Sequence, residues 1–273
     1  MNRRLVLGVA ALAGLLLVSG CTGLFSPEPI SDEQLDASPP EGYDYEAGLS
    51  SDVDAHITLT ENAKFLAVYR IPGDRNEIEL YRNDGFGGRD AIPVSAVRYR
   101  YPNGTVITGS AIEERGGGIE RTRDAVTVTL PTDRPRGQPG KLAFTSESTP
   151  KRFTLPTFVK GSYEIVLPPD RRVDFFLFGR VVPGGYERAI DDGSRVHLTW
   201  DDVQTDAVLV QFYLERDLGI FGGIAGLLGV VAVGGLFYYR RKIERLKEQR
   251  RDLGLDVDTD DDEFERGPPP GMK

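Results

Sequence analysis

Cysteine, lysine and histidine are all scarce in this chain. Of its 273 residues one is cysteine, Cys21, close to the N-terminus. No intramolecular disulfide can form, and thiolate chemistry is excluded from everything downstream. A sizeable domain must therefore be held by an ordinary hydrophobic core. Lysine supplies seven of the 33 basic side chains, against 42 acidic ones and a formal charge of −9. Such a surface lacks the basic footprint that phosphates demand, which excludes nucleic acid as a partner. Acidic, lysine-poor surfaces stay hydrated and mutually repelling when charge is screened, so the composition suits a halophilic source. A genome that favours arginine codons gives the same bias. There are two histidines, His56 and His197. Neither has a nucleophile motif or a metal-spaced partner beside it, and both are expected to be structural or surface side chains. No long stretch before residue 218 carries helical periodicity, which excludes a helical bundle.

What is present divides the chain into zones. Arg3 and Arg4 precede an apolar stretch, Leu5 to Val18, too short to span a bilayer but right for a signal sequence. Val18-Ser19-Gly20-Cys21 matches a lipobox, so residues 1–20 read as a lipoprotein signal peptide and Cys21 as the lipidated residue. Arg3-Arg4-Leu5-Val6-Leu7 also fits a twin-arginine signal, and the export route stays open between that and the general one. Residues 21–51, rich in Pro, Ser, Asp and Glu, are expected to be a disordered tether. Residues 52–217 show the period-two pattern of strands, with runs at His56–Leu59, Lys64–Tyr69, Glu77–Tyr81, Ala125–Leu130, Lys141–Thr145, Phe153–Leu155, Tyr163–Leu167, Val173–Phe178, Arg195–Trp200 and Ala207–Leu214. Val97–Tyr101, Asn103-Gly104 and Thr105–Ile107 read as a hairpin closed by a type I′ turn. The expected fold is an all-β ectodomain, β-sandwich-like, with a candidate subdomain break near 146–160.

Residues 218–239 are apolar and uncharged. Twenty-two residues at 1.5 Å rise give about 33 Å, enough to cross a hydrocarbon core of about 30 Å. Tyr238-Tyr239 and Arg240-Arg241-Lys242 follow, as at a cytoplasmic membrane boundary. The expected placement is single-pass in the cell membrane, with the ectodomain outside and residues 240–273 inside as a basic, then acidic tail beginning in a short helix. Gly219, Gly222, Gly223 and Gly226 form small-xxx-small pairs that would let two spans approach and self-associate.

Motifs for chemistry are few. Asp191-Asp192, Asp201-Asp202 and Asp260-Asp261-Asp262 lack EF-hand spacing and read as solvated turn carboxylates. Gly116-Gly117-Gly118 lacks the Lys-Ser/Thr of a phosphate loop. Asn103-Gly104-Thr105 is an N-glycosylation sequon at a hairpin tip, which makes Asn103 a candidate acceptor. No catalytic, cofactor-binding or metal-binding residue is assigned.

Cys21, Tyr101–Thr105, Gly161–Pro169, Pro183–Tyr186, His197–Val203 and Tyr213–Asp217 together resemble a family of uncharacterised haloarchaeal membrane-anchored lipoproteins, a domain of unknown function. The resemblance implies a haloarchaeal envelope location and brings no activity, ligand or site. The reading is a non-enzymatic envelope lipoprotein whose β domain serves interaction or surface structure, with an envelope protein or glycan as partner. One alternative is a ligand-sensing ectodomain that signals through a cytoplasmic partner. A second is a surface hydrolase, which would require His56 or His197 to meet an Asp and a Ser or Thr in one pocket.

Overall fold

The computed structural model describes residues 27–253. One compact unit ends at Glu215 and a second begins at Arg216. The first is built on an eight-stranded sheet. Its spatial order is β14 (Glu187–Ile190), β15 (Val196–Val203), β11 (Gly161–Val166), β1 (Ala55–Leu59), β2 (Lys64–Ile71), β9 (Gly140–Glu147), β5 (Ser95–Arg100) and β6 (Val106–Thr108). Neighbours pair antiparallel, except that β1 runs parallel to β11. A four-stranded sheet joins β4 (Arg89–Ala91), β3 (Glu77–Asn83), β8 (Val126–Thr129) and β7 (Gly118–Arg121). A three-stranded sheet joins β10 (Arg152–Pro156), β16 (Ala207–Gln211) and β13 (Arg180–Val182). A short ladder joins β12 (Arg171–Arg172) to β17 (Tyr213–Leu214).

One core lies between the large sheet and the smaller ones. Ile57, Tyr69, Phe144, Tyr163 and Leu198 from the large sheet meet Ile78, Leu80, Val126 and Val128 from the four-stranded sheet and Phe153, Leu155, Val208 and Val210 from the three-stranded one. Alternation puts these side chains on a shared face, because successive strand residues point to opposite sides. The expected break near 146–160 is absent. Phe65 on β2 packs edge-on against both Phe144 on β9 and Phe153 on β10, at 6.1 and 5.2 Å, so the aromatic core runs straight across it.

The outer face of the large sheet is covered as well. Leu66 and Val68 on β2, Ala96 on β5 and Ala143 on β9 form a second cluster with Tyr45, flanked by Tyr43 and Leu49. That cover is the stretch expected to be a solvated tether, and over its described residues, 27–51, the expectation is corrected. α1 (Asp32–Asp36) is capped by the Ser31 hydroxyl and buries Leu35 to 1% exposure in the main core. α2 (Glu46–Ser50) lies on the outer face, where Gly48 fits so closely that an added Cβ would stand 2.6 Å from a Val68 methyl and 3.0 Å from the His56 ring. The segment's polar groups are bonded to the sheet. The Tyr45 hydroxyl meets the Ala96 carbonyl at 2.9 Å and Thr145 Oγ1 at 2.6 Å, and burial pushes its pKa up. Lys141 donates to the carbonyls of Gly48, Leu49 and Ser51, Arg100 to that of Leu49, and Arg98 to those of Asp36 and Ala37. These cations satisfy carbonyls that a helix C-terminus leaves open, where positive charge is also favoured. The Asp36 carboxylate takes the amide and hydroxyl of Ser110, at the start of α3 (Gly109–Glu114).

Two local expectations are also revised. The hairpin between β5 and β6 is present, but only Gly104 takes a positive φ, +91°, so the turn is not type I′; Pro102 and Asn103 sit at its corner with negative φ. Val173–Phe178 is not a strand. Its chain turns at Phe175, whose carbonyl accepts the amides of Phe178 and Gly179.

The second unit contains most of one helix, α4 (Glu215–Asp252). It starts directly after β17, and no residue of it is buried. Its most apolar 18-residue stretch has a mean hydropathy of 2.2, which makes it a candidate membrane span. The expected span 218–239 lies within it, and the short helix expected after Arg240 is its unbroken continuation.

If residues 27–51 are a structural layer, Leu35→Ala will destabilise the folded chain by about 2–5 kcal/mol, the usual cost of truncating a buried leucine. Chemical denaturation of the full chain in detergent reads this directly. A change near zero would return the segment to the status of a tether.

Candidate functional site

The two histidines, 141 positions apart in sequence, lie on the same sheet face beside one carboxylate. β1 and β11 are parallel neighbours, and their register places His56 opposite Glu164. On the other side of β11, Glu164 stands opposite Thr199 of β15, and His197 is the next residue along β15 on that face. Diagonal neighbours of this kind are within reach of long side chains. Glu164 Oε2 lies 3.0 Å from His56 Nδ1, and Oε1 lies 2.8 Å from His197 Nδ1. The second ring nitrogens are also occupied: His56 Nε2 faces Thr58 Oγ1 at 3.3 Å, and His197 Nε2 faces Asp191 Oδ2 at 3.3 Å. Asp191 is fixed in the β14–β15 turn, where it accepts the Arg195 amide. His56 is 7% exposed beneath α2.

The hydrogen bond from His56 is the main force holding the Glu164 carboxyl down to about 2; burial opposes it, and His197 adds to it. A carboxylate that accepts two hydrogen bonds is stabilised in its charged form. Glu164 was not singled out from the sequence, since its partners lie 108 and 33 residues away. The usable signal was its phase: in Tyr163-Glu164-Ile165 it alternates with two core residues, which puts a charge on the outer face.

Thr58, His56 and Glu164 follow the order nucleophile, base, orienting acid, with a glutamate where the hydrolase reading required an aspartate. The surroundings do not suit that chemistry. Thr58 sits mid-sheet, paired with Leu66 on one side and Val166 on the other, so nearby amides are committed to ladders and not free to hold an oxyanion. Gly48 presses on the His56 ring. Four concavities on the β unit, of about 140 to 760 Å³, are walled by residues other than Thr58, His56 and Glu164. Among the described residues no group of His, Cys, Asp and Glu is placed to hold a metal ion. The arrangement ties three strands together by charge.

The remaining candidate residues are dispersed. Asp191-Asp192 and Asp201-Asp202 fall at opposite ends of β15 and do not converge. Asn103 is exposed at its turn, where its side chain accepts the Thr105 amide at 3.0 Å. Gly219, Gly222, Gly223 and Gly226 lie on α4, and a Cβ at any of them would meet nothing within 4 Å. Cys21 and Asp260–Asp262 fall outside the described residues.

These features define a class: a layered β unit, its large sheet covered on both faces, followed in the chain by a candidate membrane span. The model of a family of unknown function, DUF5803, matches residues 51–258, and the chain belongs to that family. The match begins after α2, so the segment covering the outer face lies before it. No curated protein matches the chain. Among solved structures, an M1 zinc metallopeptidase from Deinococcus radiodurans overlaps 58% of this chain and 41% of its own, at 13% identity and a TM-score of 0.32. The same peptidase bound to a Tyr-Ser-Ala substrate gives 14% and 0.33 over the same shares. The chain thus spans about two fifths of that enzyme, and an overlap this loose carries neither fold nor chemistry across.

A shared carboxylate predicts a specific pH response. Glu164 is lowered on folding, so the stability it contributes is complete above about pH 4.5 and is lost as pH falls through about 2. Glu164→Gln should lower the thermal midpoint at pH 7, and its deficit should shrink as pH falls from 4.5 towards 2. A deficit independent of pH would mean the carboxylate charge is not what holds the three strands.

Proposed function

We propose that the protein is a non-enzymatic interaction module of the cell envelope, with its β unit outside and the basic end of α4 in the cytoplasm. The observation that carries this reading is α4 itself. An apolar run with no buried residue passes without a break into Arg240, Arg241 and Lys242, the flank expected on the cytoplasmic side. The signal-like N-terminus argues for export of the β unit, and lipidation of Cys21 would add a second anchor. The acidic, lysine-poor composition supports a halophilic source, and the resemblance to haloarchaeal lipoproteins implies an archaeal one. The occupied nitrogens of His56 and His197 support a binding role over a catalytic one, and an envelope protein or glycan is the fitting partner class. Self-association through the open glycines of α4 belongs to the same reading.

One feature favours the sensor alternative. β17 ends at Leu214 and α4 begins at Glu215, so the last strand and the helix are consecutive in the chain.

Topology is the test. Protease added to intact cells should remove the β unit and spare a tag placed after Lys273. Loss of the tag with the membrane sealed would reverse the orientation and remove the envelope role with it.

A further inference from the structure

The segment that refuses to be a strand carries the most exposed apolar tip near the end of the β unit. Between β12 and β13, Val173 is buried, while Phe176 and Leu177 are 81% and 53% exposed. Phe175 stands at 5.3 Å from Phe176 and 5.4 Å from Phe178, and Phe178 reaches Tyr213 of β17 at 6.0 Å. The loop is thus a packed aromatic wedge whose base rests on the last strand and whose tip faces solvent.

Its place in the chain limits where that tip sits. Tyr213 is five residues before Leu218, the first residue of the apolar run, and five residues reach at most about 18 Å. Whatever the orientation of the β unit, the base of the wedge lies close to the point where the chain enters the bilayer.

Arginines are frequent on the strands that flank the loop, among acids at Asp170, Asp174, Glu215 and Asp217. Arg152 on β10 and Arg180 on β13 both stand opposite Gln211, at the end of β16, and both are exposed. Arg171 and Arg172 pair with Leu214 and Tyr213. Two of the local acids are already taken, Glu215 by Arg172 and Asp174 by Arg188. Exposed aromatic and aliphatic side chains on a loop whose flanking strands carry arginines make the composition of a segment that sits in a membrane interface, apolar groups inward and cations against head groups.

We propose that the 173–179 loop is a second membrane contact, with Phe176 and Leu177 entering the lipid interface and Arg152 and Arg180 meeting anionic head groups. This rests on α4 being a membrane span. The sole tryptophan, Trp200, is 4% exposed with its indole N–H on the Pro183 carbonyl, and so gives a shielded baseline. The full chain carrying Phe176→Trp, or separately Leu177→Trp, is reconstituted into phosphatidylcholine–phosphatidylglycerol vesicles with and without brominated acyl chains. Both positions are exposed, so both variants should fold. The expected result is bromine quenching of about half or more of the added emission, with the Trp200 signal of the unmodified chain unchanged. Added emission that bromine leaves intact, from protein that still floats with the vesicles, overturns the proposal while leaving the span in place. If that emission is also shielded from acrylamide, a protein surface, such as a second copy, covers the loop instead. Failure to float removes the span and this contact together.

Discussion

Everything in the β unit depends on the need to cover a wide sheet on both faces. An eight-stranded sheet with apolar residues on its inner side finds partners in the smaller sheets. Its central strand β2 reads Phe65-Leu66-Ala67-Val68-Tyr69 and is apolar on its outer side too. A strand buried on both faces needs a third layer. Residues 27–51 supply it with very little regular structure, through a few side chains and a set of carbonyls. Arg98, Arg100 and Lys141, drawn from β5 and β9, turn the outer face into a row of donors for that segment. Like charges side by side on neighbouring strands repel, and burial together with nearby Arg100 and Arg70 lowers the Lys141 pKa. The carbonyls at the end of α2 relieve part of that strain, so the cations and the cover stabilise one another.

The Glu164 cluster belongs to the same layer. It lies on the outer face and is partly roofed by α2, which places an ionised carboxylate where water is limited. Both histidines are drawn to it, and each has its remaining nitrogen engaged. Chemistry that would need a free imidazole in a cleft is not what this arrangement offers. The exposed surfaces open to other roles include the hairpin tips, the 173–179 loop and the helix α4.

The strands were legible because alternation is a local property. Glu77–Tyr81 lies in β3 and Tyr163–Val166 in β11 as their pattern demands, and the length of 218–239 marked the candidate span. The failures share a cause. Val173–Phe178 is apolar apart from Asp174 and does not alternate, a pattern that does not distinguish a strand from a packed loop. The tether composition of 27–51 is polar on average, and its few anchors, Leu35, Tyr45 and Gly48, form no period. What orders them lies 51 to 100 residues away, at Ala96, Lys141 and Thr145. The apolar outer positions Leu66, Val68 and Ala143 were the readable trace of a missing layer. Glu164 was invisible for the same reason, since its partners come together only through strand order.

The central claim is that residues 32–50 are a structural layer of the β unit and open only with it. Amide hydrogen exchange on the full chain in detergent measures this directly. The amides of Leu35 and Leu49, which donate within α1 and α2 to the carbonyls of Ser31 and Tyr45, should be protected to a similar degree as those of β2 and β9. Exchange of these two amides at the rate of an unfolded chain, with β2 and β9 still protected, would contradict the account.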